Sequence, residues 1–497
     1  MQPIRTTFSA TVRLAGACVL MLAAGQASAA DAGVNPGKMT RYELPGYTLI
    51  AVDNPQLRRA VARLPRLKHA LEESTGIKVK NTGIPTVVYV VSGSVWEKYL
   101  EPAPALASEF VPTRFTNYIL ASNTSVDQTR LFHEHTHLYV YNQMPGVYPL
   151  WFDEGLAVMM ARAQFTGTEV NILPPTHGDE GGWIPTARVL RVNRTSPEYL
   201  NQSQLFSFHF QSNAMVYRAL IDDPEFGKQV VKYLEAINNV ATPDEAEAIL
   251  GDMDALNMKM RGYVNDTHRK RVQMDVQGVP DLTLPAGTAV SKLDSLLGIA
   301  TVCLDAGIHT ESVHELLDSA ATEPGGDQRV VPLRMRLAAR LKDDAALERN
   351  YAILTKDAND LPGARAAGLA LYERAQSLGD SESARRTDLS SRSITLLDRS
   401  LASRADDPEA VWAFAMQAAD LKRNMDLALQ RLVPMFERLP ENADMALAAG
   451  RLLYAKGDPN LKPYATAVLR YSNSIEYKRW AAERITELRK KLGETGQ

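Results

Sequence analysis

The chain has 497 residues, of which 45% are hydrophobic and 23% are charged, and it carries a net charge of −3 with a pI near 6.3. This length predicts roughly two to four domains, and the composition is that of a folded, globular protein. The near-balanced charge, without a long basic stripe, argues against a nucleic-acid-binding protein.

The first 29 residues have the features of a cleavable signal peptide. Arg5 and Arg13 supply a positive region, which is followed by a short apolar run from Leu14 to Ala24. Ala27-Ser28-Ala29 then fits the small-x-small rule for cleavage. The apolar run is too short for a membrane span, and no later stretch is apolar enough for one, so we expect no span in the mature chain.

The signal peptide predicts an exported protein, in the periplasm of a bacterium or secreted. Its removal takes away two positive charges and no negative ones, so the mature net charge is −3 − 2 = −5. A lipid anchor at Cys18 fits less well, because most of the apolar run follows this cysteine. Cys303 is then the only cysteine left, which excludes an intramolecular disulfide, and its apolar surroundings predict a core residue.

The first elements predicted after the leader are a strand, a helix and two more strands. The segment Tyr47–Val52 (YTLIAV) is typical of a strand, and Asn54-Pro55 supplies the cap and first residue of a helix that Gly76 ends. The β-branched run VVYVV at 87–91 predicts a buried central strand. Residues 114–122 (RFTNYILAS) alternate more, so we expect a half-exposed strand there.

A helix carrying two histidines follows. Ser125-x-x-Gln128 is a capping-box pattern, which places His133 and His137 in the second and third turns. Four residues apart, the two imidazoles project from one face and can bind one tetrahedral metal ion at about 2.0–2.1 Å. Glu134, at the flank of this face, can act as general base toward a metal-activated water.

A third ligand is needed, because a catalytic zinc site has three protein ligands and one open position. Glu154 follows His137 by 17 residues, which leaves room for a turn and an antiparallel second helix opened by Pro149. Gly155 and Ala157 are small enough to let two helices approach closely. Two histidines at this spacing alone are also common on helix surfaces or in cores, and the downstream carboxylate favours the metal site.

The segments HEHTH and WFDEGLA together resemble the gluzincin metallopeptidases, in particular the peptidase MA-like group of exported bacterial proteins. The resemblance covers roughly Tyr42 to Val264, and its specific motifs are H-E-x-x-H and W-x-x-E-G-x-A. It implies a zincin-like α+β fold with a small sheet and an active-site helix, Zn²⁺ as cofactor and a peptide or protein substrate. It also implies His133, His137 and Glu154 as zinc ligands and Glu134 as catalytic base.

Other polar residues near the motifs receive narrower roles. Asp153 points about 100° away from Glu154 on a helix, which predicts a hydrogen-bond partner for a ligand histidine. His135 lies on the opposite side of its helix, and we expect it to be structural or exposed. The sequence HFQS resembles the Y-x-Q-S of related families, which implies His209 as the residue that stabilises the oxyanion, with Tyr217 as second candidate. An ordinary surface histidine is an equally good interpretation of His209.

The next segments predict a loop and a group of helices. Residues 164–204 are rich in proline and glycine, which is typical of a lid or a substrate-shaping loop. Residues 206–264 predict about three helices. In zincins, an exposed strand such as 114–122 can pair with an extended substrate.

The C-terminal part is predicted to be all-α. The Pro- and Gly-bearing segment after residue 275 marks a boundary, and the following readable segments are amphipathic helices. A self-comparison at an offset of 34 aligns residues 407–409 with 441–443, which is the period of tetratricopeptide (TPR) helix pairs. TPR-like repeats are therefore predicted, with an irregular helical bundle as the alternative. The predicted domains are a signal peptide (1–29), a peptidase MA-like zinc metalloprotease domain (30–275) and a TPR-like domain (285–497).

Three functions fit these patterns. The first is an exported zinc-dependent peptidase whose helical repeats recruit a substrate or a protein partner. The second is a TPR-like binding or scaffold protein with a structural or vestigial zinc site. The third is a zinc hydrolase that acts on a non-peptide amide or ester. No feature of the sequence specifies the substrate.

Overall fold

A computed structural model of the protein describes residues 34–79, 83–101, 108–144, 146–175, 182–266 and 268–491. The predicted signal peptide lies outside these ranges. Within them the architecture is α+β, with two small sheets formed by strands between residues 39 and 289 and a helical C-terminal region. No helix in the described ranges is both long and apolar enough to cross a membrane.

Two sheets are formed by nine described strands. They are β1 (Met39–Leu44), β2 (Tyr47–Val52), β3 (Thr86–Val91), β4 (Ser108–Pro112), β5 (Asn117–Ser122), β6 (Gln164–Thr166), β7 (Glu169–Ile172), β8 (Val272–Asp275) and β9 (Thr288–Ala289). The larger sheet has the order β4-β5-β3-β2-β1-β9, in which β2, β3 and β5 are parallel and the other strands are antiparallel to their neighbours. The smaller sheet is antiparallel, in the order β6-β7-β8.

The burial of two strands of the larger sheet can be compared with the prediction from the sequence. Strand β3 is central and almost fully buried, as its β-branched sequence predicts. Strand β5 is buried at every position because it lies between β3 and β4, so the expected half-exposed strand at 114–122 is wrong. The edge strand beside β5 is β4, whose short sequence SEFVP was not predicted as a strand, and the opposite edge is β9.

Helices cover the sheet and form the site between residues 55 and 265. They are α1 (Pro55–Ala62), α2 (Leu64–Thr75), α3 (Gly93–Val95), α4 (Gln128–Gln143), α5 (Leu150–Ala161), α6 (Thr186–Arg191), α7 (Pro197–Leu200), α8 (Gln202–Tyr217), α9 (Pro224–Asn238), α10 (Pro243–Ala248) and α11 (Met253–Asn265). Asn54 caps α1 as predicted, since its side chain accepts a hydrogen bond from the N–H of Gln56.

Helix α4 begins two residues later than the capping-box pattern predicts. Its cap is Asp127, whose carboxylate accepts a hydrogen bond from the N–H of Arg130 at 2.9 Å. Ser125 instead belongs to the turn that leaves β5, where its N–H donates to the carbonyl of Ser122. The predicted capping box is therefore wrong, but both histidines remain in the second and third turns.

Gly155 allows α5 and α8 to pack very closely. A Cβ atom at this position would lie 2.4 Å from the carbonyl oxygen of Ser212 on α8. Because that neighbour is backbone, it cannot move aside as a flexible side chain would. The close approach that Gly155 permits is therefore made with α8.

We expect Gly155→Ala to lower the free energy of unfolding by about 1–3 kcal/mol, because the added methyl group forces α5 and α8 apart. Thermal unfolding followed by circular dichroism measures the effect. The matched control is Gly262→Ala on α11, where an added Cβ meets no atom within 4 Å. This control should be neutral or stabilising by about 0.5–1 kcal/mol. Equal unfolding midpoints for Gly155→Ala and wild type would contradict the close packing.

The C-terminal region consists of successive packed helices. They are α12 (Lys292–Ala306), α13 (Val313–Ala321), α14 (Gly326–Arg329), α15 (Val331–Leu341), α16 (Asp344–Leu354), α17 (Leu361–Gln376), α18 (Ser383–Leu401), α19 (Pro408–Leu421), α20 (Met425–Arg438), α21 (Ala443–Lys456), α22 (Lys462–Tyr471) and α23 (Ile475–Lys491). The internal sequence match falls on α19 and α21, which also contact each other. A helical C-terminal region is confirmed, and its TPR-like nature stays a prediction.

The first helices of this region pack on the larger sheet. After β8 the chain returns to that sheet as β9, which pairs with β1. Helix α12 then lies against one face of the sheet, where Leu296 and Ile299 share an apolar cluster with Tyr89 and Tyr118. Cys303 is fully buried in the same cluster, and burial raises its pKa to about 12. The core of the sheet thus extends across the boundary predicted between residues 275 and 285.

The turn between β4 and β5 contacts the later C-terminal helices. The guanidinium carbon of Arg114 lies 3.7 Å from the centre of the Trp412 ring, and its Nε is 2.8 Å from the carboxylate of Asp444. Phe115 packs edge-on against the same tryptophan. These contacts fix the end of the edge strand.

Candidate metal centre

Three helices meet at the candidate site. Helix α5 returns against α4, and α8 packs against α5. They bring together six residues that the sequence singled out: His133, Glu134, His137, Asp153, Glu154 and His209. The tight turn and return predicted between the two motifs therefore place both motifs at one site.

The three predicted ligands present their donor atoms at tetrahedral spacing. Nε2 of His133 is 3.1 Å from Nε2 of His137, and Oε2 of Glu154 lies 3.3 and 3.4 Å from these two atoms. Ligands at about 2.0–2.1 Å from a tetrahedral ion are about 3.3–3.4 Å apart. Oε2 is also buried without a hydrogen-bond partner among the described residues. The group could therefore hold a metal ion.

Two further side chains orient these ligands. Oδ1 of Asp153 lies 2.8 Å from Nδ1 of His137, the contact that the sequence predicted. When Nδ1 donates its proton to Asp153, the lone pair of Nε2 faces the ligand atoms of His133 and Glu154. The hydroxyl of Tyr199 donates to Oε1 of Glu154 at 2.9 Å, which leaves Oε2 directed at the histidines.

We expect Asp153→Asn to weaken metal binding about 10- to 100-fold, because the amide keeps the shape of the side chain but not its charge beside His137. Competition with a chelating dye measures the affinity. Asp53→Asn, at an exposed pair with Arg58 away from the site, is the control and should bind like wild type. Unchanged affinity in Asp153→Asn would show that this contact does not support the ligand.

The charges of the ligand group reinforce one another. Burial lowers the pKa of His137, but the carboxylates of Asp153 and Glu154 more than reverse this effect and raise it well above its usual value. Burial raises the pKa of Glu154, but His137 and His133 more than offset it and hold it well below its usual range. Glu154 is thus an anion at neutral pH, as a carboxylate ligand must be, and a metal ion would displace the second proton that the raised pKa of His137 keeps on its ring.

Glu134 lies beside the three ligands. Its side chain is buried, and Oε1 accepts a hydrogen bond of 2.8 Å from the hydroxyl of Ser108. Ser108 is the first residue of β4, so the edge strand holds this carboxylate at the cavity. A carboxylate placed there can accept a proton from a water molecule and pass it on.

The structure places His209 at the site and Tyr217 away from it. Nε2 of His209 lies 3.4 Å from Oε2 of Glu154 and has no hydrogen-bond partner among the described residues. Burial lowers the pKa of His209 to about 4, so the ring is neutral at pH 7. The hydroxyl of Tyr217 instead donates to the carbonyl of Lys270 at 2.6 Å, two turns further along α8.

His135 has a structural position. It is buried on the far side of α4, where its Nδ1 lies 2.9 Å from the carbonyl oxygen of Leu131 and its ring packs edge-on against Tyr47. Burial lowers its pKa to about 4. His135 is therefore structural and not exposed.

A cavity of about 40 Å³ opens beside the ligands. It is also lined by five residues that were not identified from the sequence: Ser108, Glu109, Phe110, Arg194 and Tyr199. The first three belong to β4. The others come from the predicted loop 164–204, which in fact contains β6, β7, α6 and α7, while its residues 176–181 lie outside the described ranges. Burial raises the pKa of Glu109 to about 7, although Arg194 opposes this.

A comparison with known protein families finds no family that matches this chain, and a search of curated proteins finds no matching protein. The resemblance to gluzincin peptidases therefore stays a prediction.

Proposed function

We propose that the protein is a zinc-dependent peptidase, exported to the periplasm by its N-terminal leader. The observation that carries this proposal is the group of three donor atoms from His133, His137 and Glu154, with the carboxylate of Glu134 beside it. Two imidazoles and one carboxylate form a ligand set that Zn²⁺ favours in hydrolases, with the fourth position open.

The side chains at the cavity fit the steps of amide hydrolysis. Bound zinc would polarise the substrate carbonyl and make a water molecule more acidic. Glu134 can accept a proton from a water molecule in the cavity and return it to the departing amine, while Ser108 keeps its carboxylate in position. His209, neutral and with an unpartnered Nε2, can donate a hydrogen bond to the oxygen on which negative charge develops.

The edge strand β4 offers a place for an extended peptide. In the described part of the larger sheet it pairs on one side only, with β5. A peptide can therefore add to the other side as a further strand, with backbone hydrogen bonds. This role, suggested from the sequence for residues 114–122, passes to β4 because β5 is buried. Since Ser108 begins the strand, such a peptide lies close to Glu134.

The C-terminal helices are proposed to recruit the protein substrate or a partner. Their contacts with Arg114 and Phe115 support this role, because a protein bound to these helices would lie near the end of β4. No nucleic-acid partner is proposed.

Cleavage of a complex peptide mixture tests the proposed activity. We expect the zinc-loaded protein to produce new peptide termini that mass spectrometry detects, a chelator to stop their formation, and added Zn²⁺ to restore it. No new termini from the zinc-loaded protein would overturn the proposal.

A further inference from the structure

Arg194 lines the cavity without the hydrogen bonds that a structural arginine makes. Its side chain is 49% exposed, and the nearest carboxylate oxygen, Oε1 of Glu109, lies 3.6 Å from Nη1. This distance is too long for a hydrogen bond. Its guanidinium makes no hydrogen bond to the described residues.

Other arginines of the chain behave differently toward carboxylates. Arg188 binds Glu198 through two hydrogen bonds of 2.6 and 2.8 Å, and Arg392 binds Glu348 through two of 2.8 Å. Such forked pairs are the usual geometry, because the planar guanidinium matches a carboxylate. Arg194 does not form this fork with Glu109, so its donors remain available to a ligand.

Arg194 lies close to the proposed metal ligands. Its guanidinium carbon lies 5.9 Å from the centre of the Tyr199 ring, whose hydroxyl binds the ligand Glu154. The other charged groups that line the cavity are carboxylates or imidazoles, so Arg194 is its one permanent cation among the described residues. A carboxylate entering the cavity is repelled by Glu134 and Glu154 and attracted at Arg194.

We propose that Arg194 binds a carboxylate of the substrate next to the bond that is cut. The carboxylate comes either from an acidic side chain or from the C-terminus of the peptide. The guanidinium would bind its two oxygens through parallel hydrogen bonds, as the forked pairs elsewhere in the chain do. The inference rests on the proposed peptidase function and specifies its substrate class.

The experiment compares peptides that differ only in this carboxylate. One peptide that the wild-type protein cleaves is made with Asp, Asn or Lys at each position near the cleaved bond, and with a free or amidated C-terminus. The first series detects an acidic side chain, and the second detects the C-terminal carboxylate. We expect kcat/KM to fall about 10- to 100-fold when the recognised carboxylate is replaced by its amide.

The variants assign that preference to one side chain. For Arg194→Met, kcat/KM should fall by the same factor on the carboxylate peptide and change little on the amide peptide. Arg194→Lys, which keeps the charge but cannot form the two parallel hydrogen bonds, should retain part of the preference for the carboxylate. The control is Arg392→Met on α18, which is not part of the cavity lining and should behave like wild type. Unfolding midpoints show whether each variant is folded.

A binding measurement separates this inference from the proposed function. Fluorescence anisotropy of the same labelled peptides, including those with free and amidated C-termini, reports recognition by Glu134→Gln protein with little turnover. A preference for the carboxylate peptide that disappears in the Arg194→Met, Glu134→Gln double variant supports the inference. Wild-type protein that cleaves no peptide would defeat the proposed function. If cleavage and binding distinguish neither Asp from Asn nor a free from an amidated C-terminus, the role of Arg194 is overturned and the proposed peptidase function is unaffected. A preference for Lys would do the same and would assign recognition to Glu109.

Discussion

Replacement of Glu134 by Gln is expected to slow peptide hydrolysis strongly while leaving metal binding intact. Gln keeps the shape of the side chain and can still accept a hydrogen bond from Ser108, but its amide cannot take a proton from water. We expect kcat/KM to fall by about 10²- to 10⁴-fold. The cleavage rate of a peptide substrate and the zinc content by mass spectrometry give the two readouts.

The control for this variant is Glu225→Gln. Glu225 is exposed on α9 and pairs with Lys228 one turn away, so its replacement should change neither the rate nor the zinc content. Wild-type hydrolysis by Glu134→Gln would remove Glu134 from the proposed mechanism. Loss of zinc together with activity would instead make this carboxylate a ligand.

The second large effect is expected for His137→Ala, which removes one of three ligands. Wild-type protein should bind one zinc ion. The affinity of the variant for zinc should be more than about 100-fold below that of the wild type, a larger loss than in Asp153→Asn. Zinc at about 100 times the wild-type Kd should stabilise the wild-type fold by about 2.7 kcal/mol and the variant by less than about 0.4 kcal/mol. Thermal unfolding with and without zinc measures this difference.

His268→Ala provides the matched control, since this histidine is 92% exposed and lies outside the cavity. Its zinc content and its stabilisation by zinc should equal those of the wild type. If His137→Ala also retained wild-type affinity, the three donor atoms would not be the metal site.

The ligand group could be predicted because its spacing is local. Helical periodicity alone puts His133 and His137 on one face, and a short connection is enough to return Glu154 toward them. The supporting contacts depend instead on residues far apart in the chain. Ser108 meets Glu134 across 26 positions, and Tyr199 reaches Glu154 across 45. No period in the sequence reports such contacts.

The errors in the sheet have the same origin. The alternation of polar and apolar residues in 114–122 predicts a strand but does not show which strands lie beside it. Because β4 pairs with β5, the strand that was expected to be half exposed is buried. Likewise, the apolar periodicity of residues 292–306 predicts a helix, yet it does not tell which surface that helix covers. The structure places this helix, α12, on the sheet.

The packing of α12 makes the two halves of the chain inseparable in practice. A fragment that ended after β8 would keep every residue of the metal site but would expose Tyr89, Tyr118 and their apolar neighbours to water. Such a surface favours aggregation and degradation over folding. The smallest fragment that can fold with its site intact therefore extends at least through α15, whose Leu337 belongs to the same cluster. The same fragment is the unit that can be inherited by or transferred to another protein.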